Sequence, residues 1–260
     1  RNPLADQTLI GVTAGASLFA VLSIVLLGSV LATIAEALRQ ATISIFAFIG
    51  GFATTYMVYF LAREKGRTNV LTMLLAGIAI TAFAGAASGI FIYLSDDQQL
   101  RDITFWTMGS FSASSWIQVG IAFPIILVGS LTLLRYAKPL NAILLGEKEA
   151  RYLGVNVEKV KSRTIFFTAL MVGVCISMTG LIGFVGLVIP HFLRLLKGPD
   201  YRFLLPGSAL TGAIFLVWTD TLARIVIAPA ELPIGILTAA IGAPFFLWLL
   251  LRRQKEGRWA

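Results

Sequence analysis

The chain has 260 residues, of which 57% are apolar and only 13% charged, and its formal net charge is +8. A soluble domain carries about 25% charged residues to face water, so this composition excludes one and puts most of the surface against lipid. Apolar runs about 20 residues long, rather than short alternating strands, predict an all-α, polytopic transmembrane helical bundle.

In chain order the first runs are Thr8–Gly28, Ala41–Leu61 and Val70–Leu94. At about 1.5 Å per residue each covers all or nearly all of a hydrocarbon core roughly 30 Å thick. Along the third run Gly77, Thr81, Gly85 and Gly89 repeat every four residues. Such spacing suits close packing of helices; a helix lining a transport pathway has the same pattern. Next comes an outer loop, Ser95–Asp102, with Asp96, Asp97 and Asp102. After it, Thr104–Trp116 places a Ser-rich, Gly-containing stretch between Trp106 and Trp116. Its aromatics fit interfacial anchors, and the stretch also suits a short helix lying at the outer mouth.

The run Ile117–Leu134 is interrupted only by Pro124 and predicts another span. The following segment, Leu144–Arg163, is too polar to cross. Leu145, Ala150 and Leu153 alternate with charges at helical spacing, and Gly154 breaks the run. Two short amphipathic helices at an angle, at about 143–163, fit this pattern. They are either interfacial helices of a solvated loop or a docking element for a cytoplasmic partner.

Thr164–Leu196 is too long for one helix and short for two. Gly173, Gly180, Gly183, Gly186 and Pro190 accommodate a turn near Thr179-Gly180. Charge decides for two crossings, which put Arg194, Lys197 and Arg202 on the same side as Arg252, Arg253, Lys255 and Arg258. With the last runs, Leu205–Ile227 and Ile234–Leu251, the prediction is eight spans with both ends cytoplasmic. The cytoplasmic side then holds 18 of the 21 basic residues, leaving Arg39, Arg101 and Arg224 outside. That asymmetry is the positive-inside pattern, so the net charge reports orientation rather than nucleic-acid binding.

Few residues offer chemistry. Within the runs only Asp220 and Arg224 are charged, four apart on one helix face near the outer end. They can neutralise each other, or Arg224 can face outward to an acidic partner. This scarcity of mid-membrane charge argues against an ion- or proton-driven carrier. His191 reads as a hydrogen-bonding group at a helix end rather than a haem or metal ligand. The single thiol, Cys175, excludes an internal disulfide and makes no metal site. No GxxxxGK[ST] loop, zinc spacing or catalytic triad occurs, so the chain reads as non-catalytic, with no metal site.

Several stretches resemble one family. They are Asn2-Pro3-Leu4-Ala5-Asp6 with Gly11 and Gly15-Ala16, and Leu145-Gly146-Glu147 with Ala150 and Leu153-Gly154. Further on come Gly183-Phe184-Val185-Gly186-Leu187-Val188-Ile189-Pro190-His191 with Arg194, Gly198-Pro199-Asp200 and Leu205-Pro206-Gly207. The last are Asp220 with Ala223-Arg224, Glu231-Leu232-Pro233-Ile234-Gly235 and Gly242-Ala243-Pro244. Nearly end to end, the chain resembles the FecCD-type permease subunit of iron-siderophore, haem and cobalamin ABC importers.

The resemblance implies a type II importer fold of ten spans, in which the Asn-Pro-Leu-Ala segment links the second span to the third. Eight of ten spans would then be present, in a single permease domain over 1–260, with the first two missing. It implies that Leu145, Gly146, Glu147, Ala150, Arg151, Leu153 and Gly154 couple to an ATPase subunit. Arg224 would contact a glutamate of a periplasmic substrate-binding protein. Asn2 and Leu4, with Thr68 and Asn69, would narrow the cytoplasmic end of the pathway. The implied assembly is a permease homodimer with two ATPase subunits in the bacterial inner membrane. ATP and Mg²⁺ would belong to the ATPase, and this subunit would bind no cofactor. The run Leu100–Ser110 is most similar to haem importers, so haem or another iron chelate, moved from periplasm to cytoplasm, is the expected cargo. Cobalamin or a ferric siderophore is the alternative, and an ion-driven secondary transporter a third reading.

Overall fold

The structure is a computed structural model that describes residues 11–28, 33, 35–64, 66–112 and 114–255. Among these residues it has eleven helices and one short hairpin. The first half runs α1 (Val12–Leu26), α2 (Glu36–Leu61), β1 (Arg63–Glu64), β2 (Arg67–Thr68), α3 (Val70–Tyr93), α4 (Asp97–Met108) and α5 (Trp116–Arg135). The second half runs α6 (Ala137–Leu145), α7 (Glu147–Tyr152), α8 (Val157–Thr179), α9 (Val185–Lys197), α10 (Tyr201–Ile225) and α11 (Ile234–Lys255). Strands β1 and β2 pair antiparallel, Arg63 opposite Thr68.

Five of the helices, α2, α3, α5, α8 and α10, are long and apolar enough to cross a membrane. Helix α1 and the Ile234–Trp248 part of α11 are shorter apolar helices. The Thr164–Leu196 stretch divides as its glycines predict: α8 ends at Thr179 and Gly180 caps it. The second piece, α9, has only 13 residues, about 20 Å of helix, and falls short of a full hydrocarbon crossing. The eight expected crossings therefore correspond to five full-length helices, two shorter ones and this half-length α9.

Two local expectations are displaced. The outer loop Ser95–Asp102 is mostly helix, because Asp96 and Gln99 form a capping box that starts α4. Gly109 ends that helix, so the Ser-rich stretch is the connection after it, closed by a second capping box of Ser115 and Gln118. The short outer helix thus lies before the serines rather than over them. The polar segment at 143–163 shifts as well. Helix α6 begins at Ala137, and Val157–Arg163 opens the long helix α8.

Helix α1 lies at the centre, packed on α2, α3, α4 and α8. Val12, Ala16, Ala20, Val21 and Ile24 fill a core with Ile43 and Ala47 of α2, Ile103 of α4, and Ala169 and Ile176 of α8. Inside lipid no hydrophobic force separates one apolar helix from another environment, so close van der Waals contact of small residues holds such a bundle. Gly15 and Gly50 provide it, since a Cβ on either would run into the other's carbonyl. The Thr54 hydroxyl bridges the same contact, donating to the Gly11 carbonyl at 2.9 Å and the Gly50 carbonyl at 2.8 Å. A smaller cluster of Ile189, Leu193 and Leu204 joins α9 to α10.

Candidate functional site

Helices α6 and α7 meet at Gly146, whose φ of 150° and ψ of 150° suit glycine and set the two helices at an angle. Helix α7 starts with Glu147 and Glu149 and ends with Arg151, charges that oppose its dipole favourably at both ends. Ala150 is fully buried and anchors it. Leu145, Tyr152 and Leu153 point the other way, 72%, 90% and 65% exposed. Together they form an exposed apolar edge set among charges. Tyr152 was not singled out from the sequence; an aromatic beside Leu153 in an otherwise charged run is the signal that marks it.

A hydrogen-bonded clamp holds α6. The Asn141 amide donates to Asp200 at 2.5 Å and accepts from the Tyr201 N–H at 2.9 Å. Asp200 also accepts from the Arg202 N–H as the cap of α10. That backbone bond first, and the Asn141 amide second, hold the Asp200 carboxyl below its usual range.

An ionic clamp holds α7. Lys161 of α8 lies 2.6 Å from Glu147, and Arg151 lies 3.7 Å from Glu158 and 4.0 Å from Glu147. Glu158 accepts from the Thr68 N–H at 2.9 Å, and Lys161 donates to the Thr68 carbonyl at 3.3 Å. Thr68 is buried, and Asn69 caps α3 by accepting from the N–H groups of Leu71 and Thr72. Thr68 and Asn69 line one side of a cleft of about 670 Å³, with Glu147, Arg151 and Glu158 on the other. The structure thus brings two of the expected gate residues against the expected coupling segment. The other two, Asn2 and Leu4, lie outside the described residues. Glu158 and Lys161 were not singled out from the sequence, although their three-residue spacing on a helix is an ion-pair signal.

The four small residues of α3 divide. Gly77 is buried, whereas Thr81, Gly85 and Gly89 are exposed. A Cβ on Gly85 or Gly89 would touch nothing within 4 Å, so these two pack against no other helix among the described residues.

At the far end of α10, Arg224 pairs with Asp220 at 2.9 Å, the four-residue pair expected from sequence, and with Glu231 at 3.4 Å. Glu231 in turn accepts from the Ser112 hydroxyl. The Arg224 side chain remains 44% exposed. The same end is knitted by backbone: the Ser110 N–H donates to the Thr179 carbonyl at 2.8 Å and the Ile234 N–H to the Gly109 carbonyl at 3.1 Å. His191 is buried in α9. Cys175 lines an apolar cavity of about 480 Å³ beside α5, α8 and α9.

Comparison with known proteins gives a consistent picture. Residues 1–252 match the FecCD transport family. The chain is 44% identical over 256 residues to the hemin transport system permease protein HmuU of Yersinia pestis, covering 98% of this chain and 75% of that protein. It is 41% identical over 254 residues to the cobalamin import system permease protein BtuC of Halobacterium salinarum, covering 98% of this chain and 66% of that protein. Its fold matches a solved structure described as a metal-chelate type ABC transporter in an inward-facing conformation, with a TM-score of 0.85 and 34% identity. That match covers 97% of this chain and 77% of the other.

Proposed function

The chain belongs to the FecCD transport family, and it is an ABC importer permease for haem, cobalamin or chelated iron; from that premise we propose how it works and what it carries. It acts as a non-catalytic homodimer with two ATPase subunits on one side of the inner membrane and a substrate-binding protein on the other. The observation that carries this reading is the exposed edge Leu145–Tyr152–Leu153, presented by a helix whose buried Ala150 and ion pairs lock it to the bundle. An anchored helix with a free apolar edge can receive force from a partner and pass it on. The open Gly85 and Gly89 face of α3 supports a role at the pathway or the twofold axis. ATP and Mg²⁺ reside on the ATPase, and this subunit needs no cofactor.

Arg224 is the contact for an acidic group of the binding protein. Its exposure leaves a face free while Asp220 and Glu231 hold its position. Arg224→Glu is expected to weaken docking of the binding protein about tenfold at low salt, mainly through slower association. The loss should shrink as salt rises, since exposed charges are screened. Surface-plasmon binding to the permease in nanodiscs measures this, and equal low-salt affinity for both forms removes Arg224 from the interface.

Haem is the proposed cargo. The likeness to a hemin permease supports it, as does a chain with few charges within its apolar helices. Titrating the partner binding protein with haem, ferric siderophores and cobalamin in parallel tests it. Tightest binding of haem is expected; selective binding of cobalamin or a siderophore reassigns the cargo within the family.

A further inference from the structure

We propose that Glu158 and Lys161 are positioning residues that transmit movement of α7 to the β1–β2 hairpin and the start of α3, by exchanging ion pairs. The proposal rests on the reading of α6 and α7 as the ATPase dock, and goes beyond it by naming the internal link.

The geometry is that of a shared cation. The Lys161 side chain is mostly buried, 14% exposed, and its ammonium faces three acceptors. It bonds Glu147 of α7 at 2.6 Å and the Thr68 carbonyl at 3.3 Å, and stands 3.9 Å from Glu158. Glu158 is divided in the same way. One carboxylate oxygen accepts from the Thr68 N–H. The other is buried with no hydrogen bond in the protein, although Arg151 and Lys161 stand 3.7 and 3.9 Å from it. A buried carboxylate oxygen left without a hydrogen bond is uncommon and calls for a reason.

An alternative arrangement supplies that reason. If α7 moves away, the Glu147–Lys161 bond breaks and the ammonium is free to close on the unsatisfied Glu158 oxygen. Both groups that respond are bonded to Thr68, one through its N–H and one through its carbonyl. The exchange therefore reorients the Thr68 peptide groups and, one residue on, the Asn69 cap of α3. Two discrete sets of ion pairs make a bistable element, which is what relays a small displacement. A purely structural staple would hold the hairpin equally in both states and would relay nothing.

The test uses the permease assembled with its ATPase in nanodiscs. Arg67→Cys, in a Cys175→Ala background, carries an environment-sensitive fluorophore on the hairpin. The readout is the emission change on trapping with ATP and orthovanadate, taken beside ATPase capture and ATP hydrolysis. The labelled parent is expected to respond. Glu158→Gln and Lys161→Met are expected to cut the response at least about fivefold, the lower end of usual coupling factors, while ATPase capture persists. If Lys161→Met fails to assemble, Lys161→Arg carries the same comparison, because its planar head fits the shared position poorly. A full response in Glu158→Gln or in the assembled Lys161 variant overturns the relay. Failure of the parent to capture the ATPase overturns instead the docking reading on which the relay depends.

Discussion

A chain carrying Glu147→Lys together with Arg151→Glu is expected to lose most of the substrate-stimulated ATP hydrolysis of its assembled complex, by about tenfold or more. The double change keeps an opposite-charge pair within α7, so the helix alone is little affected. It breaks the clamp to α8, because position 147 then presents a cation to Lys161 and position 151 an anion to Glu158. Those partners stand at 2.6 and 3.7 Å in the native chain. Like charges about 4 Å apart repel by about 1 kcal/mol in bulk water and about 4 kcal/mol at the effective dielectric near a protein surface. The partial exposure of all four side chains places the cost between these limits. A helix of six residues has almost no stability of its own, so repulsion of this size displaces it. Phosphate release with and without loaded binding protein measures the effect. Hydrolysis by the free ATPase subunit serves as the internal control. Adding Glu158→Lys and Lys161→Glu restores both attractions and is expected to recover capture of the ATPase without its stimulation, because a cation at 158 cannot accept from the Thr68 N–H and an anion at 161 cannot donate to the Thr68 carbonyl. Unchanged stimulation in the first double variant would remove α7 from the coupling path.

Gly50→Val is expected to leave little folded protein. Helices α1 and α2 approach so closely that a Cβ on Gly50 would meet the Gly15 carbonyl and the Phe19 side chain. Overpacking of a close contact costs about 1–3 kcal/mol and occasionally more. Here one colliding atom is backbone, which cannot rotate away, so the upper end applies. The damage spreads because α1 carries much of the core. Gly120→Ala is the matched control, since a Cβ on Gly120 would meet nothing within 4 Å. The fraction of monodisperse protein after extraction and the midpoint of its thermal unfolding measure both variants. A normal yield for Gly50→Val would mean that α1 and α2 can separate without loss of the bundle.

Much of this protein is legible in a single reading of its sequence. Long apolar stretches must be helices, because hydrocarbon offers no partner for a free backbone N–H or carbonyl. The boundaries of α3 and α5 follow within a residue or two from hydropathy, and the structure adds the caps Asn69 and Ser115. The Asp220–Arg224 pair is equally local, being one helical turn. The polar segment after α5 announces a pair of surface helices by its spacing and by Gly154, while the structure puts their junction at Gly146.

Other features depend on residues distant along the chain. Thr68 meets Glu158 and Lys161 across about ninety residues, and no periodicity connects them. Gly15 and Gly50 each look like ordinary small residues until two helices are laid together. The half-length of α9 is set by where Phe184 and Gly198 start and stop it, within a stretch whose hydropathy alone suggests a crossing. Hydropathy and local spacing are enough to specify a helical membrane protein, its apolar runs and its surface segment, because lipid acts on each residue independently of its distant neighbours. Which helix lies at the centre, and which charges clamp α7 to the hairpin, emerge only when the segments are folded together, because close packing and ion pairing depend on distances that the linear order does not contain.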